Sequence, residues 1–157
     1  MKLRIKKSMT ELTVVILFLV FMSNTKAISQ EYYIMVGKVY SQQKCGSASF
    51  SNALAYDVEK KIGNFNYSEV ESTLKKRAAR INYVSESDVY IEGARKQFAC
   101  IITYDKEHAG WGCSTKQYAV GFGNSETDAE ENAVLKMKNN YKRVSYFVQR
   151  RIDASMY

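Results

Sequence analysis

The stretch from Gln97 to Met137 constrains the fold of this chain more than any other. An apolar run, Gln97-Phe-Ala-Cys-Ile-Ile-Thr-Tyr104, leads into a polar turn, Asp105-Lys-Glu-His108, and then into a glycine-punctuated aromatic run from Gly110 to Gly123. Ser125-Glu-Thr-Asp128 follows and opens a segment striped with alanines. Apolar runs parted by a short polar turn pair as strands, and a serine ahead of acidic residues starts a helix. The predicted order is strand, turn, strand, helix.

This hairpin makes a prediction about the cysteines. With Asp105 to His108 as its loop, Tyr104 pairs with Ala109 and Cys100 lies opposite Cys113. Directly opposed strand residues have Cα atoms about 4.5 to 5.5 Å apart, within disulfide reach. Closing so short a loop would stabilise by roughly 3 kcal/mol. The chain has three cysteines, Cys45, Cys100 and Cys113, so one bridge leaves one thiol over, and three buried free thiols are the alternative. A turn displaced toward Gly110 or Gly112 would destroy the Cys100 to Cys113 pairing.

The N-terminus reads as an export signal covering residues 1–29. Lys2, Arg4, Lys6 and Lys7 form a basic head before an eleven-residue apolar run, Leu12 to Met22, broken only by Thr13, with small-residue cleavage sites after Ala27 and after Ser29. Eleven residues fall short of the about 20 that a membrane-spanning helix needs. The mature chain is therefore expected outside the cytoplasm, periplasmic or secreted, with no stable membrane span once the signal is cut; an uncleaved anchor is the alternative. Five of the 23 basic residues and one of the 16 acidic ones lie in this segment, which leaves 18 and 15 and lowers the net charge from +7 to +3. Much of the basic balance belongs to the signal, so it is no footprint for nucleic acid.

Residues 30–150 are expected to form a single α+β domain, with 151–157 a flexible tail. Tyr32 to Tyr40 is a strand rich in aromatic and β-branched residues, and Ser41 to Ser49 a polar loop. Phe50, Leu54, Val58 and Ile62 recur every four residues, which predicts a helix ended by Gly63. Ser68-Glu-Val-Glu71 has the form of a capping box, opening a second helix whose apolar face carries Val70, Leu74, Ala78 and Ile81. Its other face, with Lys75, Lys76, Arg77 and Arg80, is a solvated side, with contact to phosphates or to an acidic partner as the alternative. Ser87 to Ala94 alternates as a half-exposed strand, joined through Arg95 and Lys96 in a short hairpin to the strand at Phe98. The last helix runs from Glu126 to Asn140, and Val144 to Val148 is strand-like. The resulting fold class is α+β, a mostly antiparallel sheet with two or three helices packed on one face.

The order helix (Ser68 to Ile81), three strands, helix (Glu126 to Asn140) is similar to the plan of the double-stranded RNA-binding domain. Gly121-Phe-Gly-Asn-Ser-Glu-Thr-Asp-Ala-Glu-Glu-Asn-Ala133 resembles that family's closing glycine, serine and lysine motif. The resemblance implies a related fold over residues 68–140. The family's phosphate-gripping lysines would fall at Thr127, Asp128 and Glu130, where carboxylates repel phosphate, so no nucleic-acid partner is expected. The strand, strand and alanine-rich helix also resemble small exported bacterial domains of unassigned function. Gln43 to Ala53 is superficially similar to the nucleophile segment of papain-like proteases, but Ala48 stands where the cysteine would be.

The chain's own residues offer little for catalysis. A cysteine hydrolase needs a thiolate and a base, and His108 is the one histidine, expected in the turn and facing solvent. One His and three Cys without a close pair lack the spacing of a zinc site, and no cofactor motif is present. Glu69, Glu71, Asp128, Glu130 and Glu131 complement helix dipoles, although carboxylates converging from distant positions would suit a small hydrolase of cell-wall or glycan substrate. Gly121-x-Gly123 is explained by a tight turn more simply than by an anion cradle. Twelve Tyr, seven Phe and one Trp are more than a core this size requires, which points to exposed aromatics that touch a partner. The reading that results is a non-catalytic binding or inhibitory module for a protein or cell-envelope partner, with His108 and Trp111 at its contact surface. A structural envelope component is a further alternative.

Overall fold

A computed structural model describes residues 30–141 and 145–156. The expected export signal and its cleavage sites lie outside the described residues, as does Val144 at the start of the expected last strand.

The first hairpin is longer than the sequence implies. Strand β1 (Tyr32–Cys45) pairs antiparallel with β2 (Ala48–Ile62) from Tyr32↔Ile62 to Cys45↔Ala48, around the two residues Gly46 and Ser47. Gly46 has φ +64°, which a residue without Cβ adopts freely. Neither the loop at Ser41–Ser49 nor the helix at Phe50–Ile62 exists. A repeat of four residues fits one turn of helix and equally two pleats of a strand, so the apolar spacing could not choose between them. The long antiparallel partner decides in favour of the strand. Val39 pairs with Ala55 and Tyr40 with Ala53, which leaves Leu54 as a bulge, 49% exposed.

Helix α1 (Tyr67–Asn82) follows, capped by Asn66, whose side chain accepts the Glu69 N–H at 3.4 Å. The cap thus lies two residues ahead of the expected Ser68, since asparagine fills this position as well as serine. Leu74, Ala78 and Ala79 are buried, with Ala78 and Ala79 packed against Val39 and Val89. Arg77 leaves the solvated face: its guanidinium reaches Asp57 at 2.6 Å and Glu59 at 2.7 Å, strapping the helix to β2. After a single 3-10 turn at Glu86–Asp88, β3 (Val89–Ala94) pairs with β1, not with the strand that follows it. Arg95 and Lys96 therefore form a crossover between sheets in place of the expected hairpin link.

The second half retraces this path. Strands β4 (Phe98–His108) and β5 (Cys113–Gly123) form a hairpin, helix α2 (Glu126–Asn140) follows, and β6 (Phe147–Asp153) returns beside β4. Both sheets are antiparallel and three-stranded, ordered β2-β1-β3 and β5-β4-β6, so a hairpin-helix-strand unit occurs twice. The beginning of the expected tail at 151–157 belongs to this unit. Ile152 is in the core, and the N–H of the buried Ala154 donates to the Gln97 carbonyl at 2.8 Å. The expected strand at Val144–Val148 is met at Phe147 and Val148, and polar neighbours, Gln149, Arg150 and Arg151, disguised its continuation because it lies at a sheet edge.

The two sheets face each other across one core of Ile34, Val36, Ala99, Ile101, Val120 and Ile152. Strand pleating sends the alternate residues outward, where α1 covers the first sheet and α2 covers Cys100, Ile102, Tyr104 and Ala119 of the second. The protein is an α+β fold, but with two sheets and one helix on each outer face, and not one sheet with helices on one face. Gly121 and Gly123 explain how closely α2 lies on β5. A Cβ at Gly121 would stand 2.0 Å from the Ala129 carbonyl oxygen and 2.2 Å from the Ala133 nitrogen. These glycines serve helix-to-strand approach, not a tight turn. Gly121→Ala should cost about 3 kcal/mol or more, because backbone must move to admit the methyl group; urea denaturation measures it.

Charge also spans the layers. Glu92 on β3 binds Lys38 on β1 and, at 2.7 Å, Lys136 on α2. Burial opposes ionisation of Glu92, but the hydrogen bonds from Lys136 and Lys38 outweigh it and hold the carboxyl below its ordinary value of 4.5. A carboxylate with a lowered folded-state pKa contributes stability that is complete above the unfolded value and is lost as pH falls through the folded one. Stability should therefore decline as the pH drops below about 4.5, and Glu92→Gln should flatten that acid limb in denaturation curves taken across pH.

Candidate binding surface at the joined hairpin tips

Strand β4 continues past its expected end at Tyr104, and its ladder with β5 closes at His108↔Cys113. Ala109–Gly112 make the turn instead, with Gly110 at φ +82° and Gly112 at φ +63°. Two left-handed glycines allow the chain to reverse there, and Asp105 to His108 become strand. Cys100 consequently faces Gly121 across the ladder. The expected Cys100 to Cys113 bridge is replaced by Cys45–Cys113, with Cα atoms 6.1 Å apart and a sequence separation of 68. Cys100 stays a buried free thiol under α2. Burial, with the Glu130 carboxylate adding to it, pushes that thiol up to about 11, so it remains protonated at neutral pH.

The disulfide welds the tips of the two hairpins, one from each sheet. Cys45 precedes Gly46, and the six-membered edge of the Trp111 indole rests over Gly46, with Cε3 3.5 Å from where a Cβ would stand. The Trp111 N–H donates to the His108 carbonyl at 3.1 Å, closing the turn. Phe50 meets Trp111 edge to face at 6.1 Å between centroids. It stacks on the His108 ring at 3.7 Å and 17°. The indole remains 45% exposed.

His108 is therefore not a solvent-facing turn residue. It is half-buried at the end of β4, and its Nε2 lies 2.8 Å from the hydroxyl of Thr115. Thr115 also accepts from the Gln117 amide at 3.0 Å, and the same amide donates to the Ser51 carbonyl at 2.7 Å. Asn52 accepts the Lys116 N–H at 2.8 Å. These bonds stitch β2 to β5, which share no ladder. The rings of His108 and Trp111 each meet Phe50 at the tips, and around them stand Cys45, Gly46, Thr115 and Gln117; sequence reasoning missed these five residues. The spacing around Phe50 points to a helix, and pairing between separate hairpins leaves no local pattern to find.

Thr115 and His108 pair as hydroxyl and imidazole, but Thr115 is 1% exposed, and among the described residues no carboxylate orients His108. Both sulfurs at the tips are in the disulfide. A groove of about 840 Å³ runs between α2 and β6, lined by Glu126, Glu130, Glu131, Leu135, Tyr146 and Arg151. Its central Glu130 is held by Arg151 at 2.6 Å and by the Tyr146 hydroxyl at 3.2 Å, which makes it a clamp between helix and strand. Among the described residues no group of three His, Cys, Asp or Glu is placed to hold a metal, and no helix is long and apolar enough to cross a membrane. The chain matches no protein-family model, no curated protein and no solved structure.

The bridge should dominate the stability of this end. Closing a loop with a sequence separation of 68 is worth about 4 kcal/mol, so Cys45→Ser combined with Cys113→Ser should lower denaturant stability by that order. Unfolded without reductant, the wild type should titrate one thiol and Cys100→Ala none.

Proposed function

We propose that this protein is an exported, non-catalytic binding or inhibitory module whose joined hairpin tips meet an envelope or extracellular partner. One observation carries the reading: a half-exposed Trp111 held by Gly46, Phe50 and the neighbouring Cys45–Cys113 bridge. An exposed tryptophan contributes most to binding when it is already fixed, because little side-chain entropy is lost on association. A disulfide between distant positions fits an oxidising compartment, in keeping with export.

The test is capture of partners from the protein's own cell envelope by the mature chain, with Trp111→Ala and Leu135→Ala compared in parallel. Leu135 is an exposed apolar residue on α2, away from the tips. Enrichment lost with Trp111→Ala and kept with Leu135→Ala supports the tips as the contact surface. Equal capture by all three chains would rule it out.

A further inference from the structure

We propose that the seam leading from the hairpin tips takes a neutral oligosaccharide, stacked on Trp111 at one end and on the exposed ring of Tyr90 at the other. This inference rests on the tips being a contact surface and names the chemistry of what they contact.

A chain of direct contacts marks the seam. Trp111 touches Phe50, Phe50 stacks on His108, His108 meets Thr115, and Thr115 meets Gln117. Gln117 and Ser51 then line a hollow of about 370 Å³ with Lys38, Tyr40, Tyr90 and Glu92. That volume lies in the range of small-ligand sites. Tyr40 and Tyr90 meet edge to face at 5.5 Å, and Tyr90 is 53% exposed. Aromatic rings therefore stand at both ends of the seam.

Between them the accessible polar side chains are a hydroxyl and two amides, those of Ser51, Asn52 and Gln117. The two charged residues of the hollow, Lys38 and Glu92, bind each other, and Glu92 also binds Lys136. Among the described residues of the hollow, no uncompensated charge awaits an ionic ligand. A sugar ring has one apolar C–H face, which packs on an aromatic ring, and a rim of hydroxyls that exchange hydrogen bonds with amides and hydroxyls. An extended neutral glycan presents that pattern repeatedly, which matches two aromatic platforms with neutral polar groups between. The indole suits this use because Gly46 backs one side of it while much of the ring stays open.

Trp111 is the one tryptophan of the chain, so intrinsic fluorescence reports on the tips directly. The experiment titrates the mature protein with cellotetraose and with the tetramer of N-acetylglucosamine. A saturable shift in tryptophan emission is expected with at least one of them, unchanged by added salt because no ion pair forms. Tyr90→Ala, which leaves the indole in place, should weaken the response about fivefold or more. Circular dichroism melting checks that this variant still folds, and Tyr90→Phe, which keeps the ring, should bind nearly as the wild type does. No saturable change with either probe, or a change that Tyr90→Ala leaves intact, overturns the inference. Envelope capture that depends on Trp111 without any response to the sugars overturns the glycan assignment alone; loss of both overturns the contact surface as well.

Discussion

Everything in this structure depends on two small sheets having to bury the same face. A three-stranded sheet cannot shield both of its sides, and the apolar residues of β1 and β4 alternate so that each strand carries two faces to cover. Placing Ile34 and Val36 against Ile101, Val120 and Ile152 covers the inner pair, and α1 and α2 cover the outer ones. Each such aliphatic side chain is worth roughly 1.5 to 3 kcal/mol when buried. Together they outweigh the about 4 kcal/mol that the disulfide contributes through loop closure. The core therefore holds the layers together, and the bridge acts locally, on the hairpin tips that project from it.

Away from that inner face the two hairpins have no ladder in common, and they are joined by the Cys45–Cys113 bridge, by bonds made by Gln43, Asn52 and Gln117, and by the stacking of Phe50 on His108. Ordering long projecting strands costs conformational entropy that a tip alone does not recover from burial. Cross-linking the tips removes much of that motion. Phe50 and His108 then fill the space beside Trp111, so that a large aromatic ring stays partly in water without being free to collapse onto the surface.

The repeated hairpin-helix-strand unit is held together differently in its two halves. In the second, Gly121, Gly123 and the alanines of α2 bring helix and strand backbones into contact. In the first, α1 stands on side chains such as Leu74 and is tied down by Arg77 to Asp57 and Glu59. The same path of the chain is thus stabilised by close backbone approach on one side and by packing and ion pairs on the other.

Some of this was determined by the sequence alone. Caps and periodicity over 11 to 18 residues are local, and they located α1, α2 and the strands that begin near Tyr32, Val89, Phe98 and Cys113. The aromatic surplus was legible too, as was the placing of His108 and Trp111 within one hairpin. Four things were decided only by tertiary structure. A spacing of four residues satisfies helix and strand alike, so Phe50–Ile62 took its form from β1. The turn position, and with it the disulfide partner of Cys113, was set by Gly110 and Gly112 together with a second hairpin far away in sequence. The continuation of the edge strand β6 past Val148 was hidden by its arginines until Ile152 found a core to enter. The division into two sheets came from burial, which counts neighbours in space and leaves no mark on the order of residues along the chain.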